Sequence, residues 1–204
     1  MPYTCNMALT MKPLKGYHNT TPGFEKPGSI LQQEGLLVNI LEDFDPASFL
    51  TIEKIATALS RLKRYSGNSK FSVAEHCCRG ADAFLLMGYP DLAFIFLHHE
   101  TGTEAVGFGD ISGPIKRLLK KDDTLKQLET RTEEIVSRWL GIPYPWPPEI
   151  KAMDIALATD EMTMMKHHDI NHRYWDECVA YDNFIAMHNK LKTYIDVYAK
   201  KELI

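Results

Sequence analysis

From residue 51 onward one pattern keeps returning: apolar side chains at steps of three and four, closed off by Gly, Pro, Ser or Asn. TIEKIATALSRLKRY (51–65) sets it, with Ile52, Ile55, Ala56, Leu59 and Leu62 on one stripe. Such spacing puts a single face of a helix toward a core. A chain built mostly of such faces buries them by packing helix on helix, so the predicted fold class is all-α.

The same reading divides the chain. Residues 1–34 hold Pro2, Pro13, Gly16, Pro22, Gly23, Pro27 and Gly28 without a sustained period and are expected to form an irregular arm, leaving 35–204 as the helical domain. GLLVNIL (35–41) fits a short strand or extended segment, and Asp45-Pro46 turns the chain toward the first helix, capped by Thr51 or Ser48. Ser72, with Glu75 three residues on, has the form of a capping box. The helix it opens runs to Gly88-Tyr89-Pro90, and Asp91 is expected to cap a mostly buried helix over 91–106. A flexible Gly-rich loop follows, then helices over 122–140, 148–167 and 174–202, with the stiff connector PYPWPP at 143–148.

Composition narrows the function classes. A formal net charge of −4 gives no footing for sequence-independent binding to nucleic acid, which runs on basic patches. No apolar run approaches the ~18 residues of a membrane span, and the opening residues lack a signal peptide's basic and apolar regions. Cys5, Cys77, Cys78 and Cys178 make neither a zinc-knuckle spacing nor a legible disulfide ladder. A soluble cytoplasmic protein with a small-molecule substrate is the expectation.

Chemistry concentrates between 71 and 117. After the apolar run AFIFL come His98, His99 and Glu100, three polar groups whose burial without partners is costly. Neighbours on a helix point about 100° apart, so a divalent ion between two of them can take His98 with His99, or His99 with Glu100. His76, ending FSVAEH, is a candidate third ligand from a neighbouring helix. Asp154 lies among Ala152, Met153, Ile155 and Ala156, where a carboxylate needs a partner, and a metal is one. Residues 162–165, MTMM, read as core filler, and Trp139, Trp146 and Trp175 as packing residues able to stack on a base.

The order His, His with an adjacent acid, then a distant Asp resembles the HD-domain phosphohydrolases. ALSRLKRYSGN with FSVAEH, TEA with GDISGPIKRLL, and EIKAMDIALATDE, spanning roughly 50–165, are similar to one subgroup of them. That subgroup contains bacterial 5′-deoxynucleotidases and phage dATP triphosphohydrolases. The resemblance implies an HD-domain helical bundle, a divalent cofactor (Co, Mn, Zn or Mg), a deoxynucleotide substrate and a homo-oligomer, in a host cytoplasm if phage-encoded. It makes His76 the first metal ligand and Asp154 the last. Arg61 takes the phosphate-contacting role, Leu62 a sugar- or base-facing one, Glu104 and Asp110 those of catalytic acids, and Lys116 that of the lysine in the PxK turn.

The chain departs from the pattern at the His-Asp dipeptide. It reads His98-His99-Glu100, and the stretch to GDI is longer than usual; His99-Glu100 is the preferred pair because Glu keeps the oxygen ligand. His168-Asp169 lies away from the partner motifs and reads as a solvated loop. The basic residues Lys63, Arg64, Arg117 and Lys120 favour a polyphosphate, hence a dNTP triphosphohydrolase. Cleavage of monophosphates, nucleotide binding without turnover, and cleavage of cyclic nucleotides are the alternatives.

Overall fold

The computed structural model describes residues 29–32, 37–119, 123–167 and 173–201. Most of the irregular arm, Lys120 and His168-Asp169 lie outside those residues. The fold is all-α, apart from two three-residue strands. These are β1 (Ser29–Leu31) and β2 (Leu37–Asn39), paired antiparallel with Ile30 opposite Val38. Asp45 then caps a single 3-10 turn, Pro46–Ser48, by accepting from the Ala47 N–H.

Seven α-helices follow among the described residues. Helix α1 (Ile52–Arg61) is capped by Thr51, whose hydroxyl accepts from Lys54 N–H, and it buries Ile55, Ala56 and Leu59. Helix α2 (Val73–Leu86) starts at Ser72, whose hydroxyl accepts from Glu75 N–H. The Glu75 carboxylate accepts from the backbone N–H of Trp175, pinning the approach to the last helix. Helix α3 (Pro90–His98) begins one residue before the expected cap: Tyr89 is its N-cap and Pro90 takes the first turn, where a missing N–H costs nothing.

Helices α2 and α3 meet at Gly80, where an added Cβ would collide with the Phe96 ring. Phe96 is fully buried, and its ring lies 4.2 Å from that of His99 and 5.5 Å from that of His76, centroid to centroid. One aromatic platform therefore supports histidines from both helices.

The expected single helix over 91–106 is broken. Helix α3 stops at His98, and after His99 and Glu100 the chain resumes as a wide π-helical segment, Thr101–Phe108, kinked at Gly107 with φ +134°. Such wide turns hold more residues per turn than an α-helix and cluster at functional sites. Gly102 lets this segment touch α5, since a Cβ there would stand 2.6 Å from the Glu133 Cα. The expected loop before α4 (Gly113–Leu119) is tied down: Asp110 accepts from Ser66 N–H at 2.6 Å. Helix α5 (Thr124–Leu140) ends on left-handed Gly141, α6 (Pro148–Lys166) follows the proline connector, and α7 (Glu177–Lys201) packs across α1, α2 and α3. No helix among the described residues is long and apolar enough to cross a membrane.

Candidate metal centre

His76 from α2, His99 and Glu100 from the α3 exit, and Asp154 from α6 bring one ligand atom each within 4.8 Å of one another. Both imidazoles are fixed by their far nitrogen. His76 Nδ1 donates to Glu161 Oε1 at 2.9 Å, and His99 Nδ1 donates to the Phe96 carbonyl at 2.6 Å. Each ring thereby turns Nε2 inward, and both Nε2 atoms are buried with no hydrogen-bond partner. Asp154 Oδ1 stands 3.3 Å from His76 Nε2, and Glu100 Oε1 stands 3.3 Å from His99 Nε2. Two orphaned imidazole nitrogens beside two carboxylates form a mixed N/O donor set that suits a first-row divalent ion. The group could hold one such ion.

Electrostatics keep the oxygens ionised. Burial opposes charge on Glu100, but His99 and Arg64 hold its carboxyl down at about 2. Burial likewise opposes charge on Asp154, yet His76, His99 and Lys151 keep it well below the usual carboxylate range. A residue that ligates a metal must be deprotonated, and the lowered carboxyls of Glu100 and Asp154 meet that condition.

Two residues at the centre were not among the expected site residues: Glu161, and Arg64, which the sequence counted only as one of four basic residues favouring a polyphosphate. Glu161 is wholly buried and meets four partners: His76, the Arg64 Nε at 2.9 Å, the Tyr65 hydroxyl at 3.2 Å and Arg79 at 3.9 Å. It lies seven residues after Asp154 on α6, two turns along the same face, and that spacing was the available signal. Arg64 extends its terminal nitrogens to 3.8 Å from both Glu100 and Asp154. It is aimed by the α1–α2 loop, in which Tyr65, Ser66 and Gly67 all have positive φ, at 59°, 55° and 83°. Two non-glycine residues in that region are uncommon, and such strain gathers at functional sites.

Three expected site residues are placed elsewhere. Arg61 is exposed and pairs with Glu177 at 2.7 Å, because the α1 helix carries it outward. Leu62 ends α1 and packs on the core, outside the cavity wall. His98 points away from the ligand group: its Nε2 meets His188 Nδ1 at 2.9 Å, and burial drives its pKa well below the ordinary value.

The ligand group opens into a cavity of about 600 Å³, which Arg64, Glu104, Asp110 and Lys116 also line. Lys116 is paired with Glu129 at 2.9 Å. Burial first, then Glu100 and Asp110, push the Glu104 carboxyl well above its usual range, and its Oε2 is buried without a partner. Those surroundings favour the protonated form of this acid, which faces the cavity. Met162 lines the cavity too and is 43% exposed, so it is not core filler. The cavity's other wall is Tyr144–Pro148, where Trp146 stands edge-on to His99 with centroids 6.2 Å apart. No family model matches the chain, and no curated protein matches it.

Proposed function

We propose that the protein is a metal-dependent phosphohydrolase of the HD-domain type, acting on a deoxynucleoside phosphate and on a triphosphate first of all. One observation carries the reading: the inward, unpartnered Nε2 atoms of His76 and His99 beside Glu100 and Asp154. A divalent ion held by His76, His99, Glu100 and Asp154 would polarise a phosphoryl oxygen and make water a better nucleophile. The chain's own residues would do the rest. Arg64 takes the anion-contacting role that the resemblance gives to Arg61, its guanidinium held protonated, against burial, by Glu161, Glu100 and Asp154. Glu104, protonated by its surroundings, donates a proton to the departing alkoxide. Asp110 fastens the loop carrying Arg64 through Ser66.

The wide Thr101–Phe108 segment supports assigning His99-Glu100 to the family's metal-binding dipeptide. Extra residues between that pair and GDI are absorbed by the π-helical turn, and Glu104 still faces the cavity.

A second reading, hydrolysis of monophosphates, is favoured by one observation. Of the four basic residues behind the polyphosphate expectation, Arg64 lines the cavity, Lys63 and Arg117 lie off its wall, and Lys120 lies outside the described residues. Metal content measured alongside phosphate and polyphosphate release from a dNTP and dNMP panel tests both readings. Turnover that vanishes in Glu104→Ala while metal is retained supports the enzyme. Metal with no product from any substrate replaces it with a binding module.

A further inference from the structure

The cavity also holds ionisable groups that the proposed chemistry does not use. Glu133, on α5, lines it and accepts the Tyr144 hydroxyl at 2.9 Å. Its neighbours form a continuous wall leading away from the metal group. Trp146 is edge-on to His99, and Tyr144 is edge-on to Trp146 with centroids 5.5 Å apart. The Tyr144–Glu133 pair thus lies one indole beyond His99. A nucleotide whose phosphate rests on the metal group carries its base one sugar farther out, toward that pair. The wall is stiff, since Pro145, Pro147 and Pro148 fix its backbone and Trp146 Nε1 donates to Ser137 Oγ at 3.2 Å. Gly102 closes the other side by letting the π-helical segment press on the α5 backbone at Glu133.

The hydrogen-bond inventory of the pair sets what it can read. The Tyr144 hydrogen is spent on Glu133, so the phenol oxygen, which also takes a bond from Thr130, and the carboxylate in its ionised form have only acceptor positions left for a ligand. Burial, together with Glu100 and Glu129, raises the Glu133 carboxyl to about 7 despite the bond from Tyr144. A second donor, brought by a ligand, would relieve that cost. Resting on the phosphohydrolase reading, we infer that Glu133 and Tyr144 are specificity residues that select nucleobases bearing an exocyclic amino group. Adenine, cytosine and guanine each offer an N–H₂ donor to the two acceptors. Thymine offers one ring N–H flanked by carbonyls, which meet acceptors with acceptors.

The test compares kcat/KM for the dA, dC and dG substrates with that for dT, in wild type, Glu133→Gln and Tyr144→Phe. Cobalt binding by calorimetry reports whether each variant keeps its centre. The wild type is expected to prefer amino-bearing bases. Glu133→Gln, which can turn a donor toward the ligand, should shrink that preference about tenfold, mainly through KM. Tyr144→Phe should move it the same way by less, and it carries the comparison if the Gln variant loses cobalt. An absent preference in wild type, or a preference unmoved in cobalt-binding variants, overturns the inference and leaves the hydrolase reading standing. Turnover of no nucleotide by wild type overturns both.

Discussion

His98 and His99 are neighbours in sequence and both are buried, yet they serve opposite faces of the molecule. His98 looks to α7, where its Nε2 and His188 Nδ1 satisfy each other at 2.9 Å among the rings of Phe94 and Phe184. His99 looks to α6, where its Nε2 makes no hydrogen bond and stands 3.3 Å from the Glu100 carboxylate. The rear pair is closed; the front group is held open by Glu161 and the Phe96 carbonyl, which use up the outer nitrogens. Burial alone therefore says nothing about a histidine's role. What distinguishes the two is whether the inward nitrogen has been left unsatisfied, a state that costs free energy unless a ligand arrives.

Four substitutions separate the two faces. His99→Ala removes a donor from the front group and should weaken cobalt or manganese binding, measured by calorimetry, by more than about 100-fold, the upper range for an outer partner of a ligand. His98→Ala should do the reverse. Leaving His188 unpaired beside a new cavity costs about 3 kcal/mol in urea unfolding, with metal affinity little changed. Equal losses of metal affinity in the two variants would break the distinction. Glu161→Gln keeps the volume but weakens the hold on His76 and Arg64, so metal affinity should fall about 10- to 100-fold.

The smallest effect concerns the open face's cost to folding. Because burial and neighbouring carboxylates raise the Glu133 carboxyl from its ordinary 4.5 to about 7, the folded chain holds the extra proton between those values. Stability must then fall as pH rises through that window. Allowing for solvent screening, Glu133→Gln should remove about 1–2 kcal/mol of that decline. Parallel stability curves for wild type and variant from pH 4.5 to 8 would show that the carboxyl is not strained.

The helices were legible because each carries a period that water enforces, and the caps at Thr51 and Ser72 were legible because hydroxyls seek orphan N–H groups. The His76, His99, Glu100 and Asp154 positions could be read because polar groups stood where an apolar face was expected. Arg61 was given the anion-contacting role by the resemblance alone, and what aims Arg64 into the cavity instead is positive φ at Tyr65 and Ser66. Nothing in those two side chains announces such a backbone. The break after His98 was invisible for a related reason: α and π turns share residue preferences, and only length distinguishes them. Tertiary contact, the pressing of Gly102 on α5, fixes where the wider turn lies.

That turn has a consequence for how the chain can vary. An α-helix that gains one residue rotates everything downstream by about 100°, which would swing Glu104 out of the cavity. A π-helical stretch absorbs the insertion locally, so the frame on either side is kept. A one-residue insertion within 101–108 is therefore expected to leave Glu104 facing the cavity.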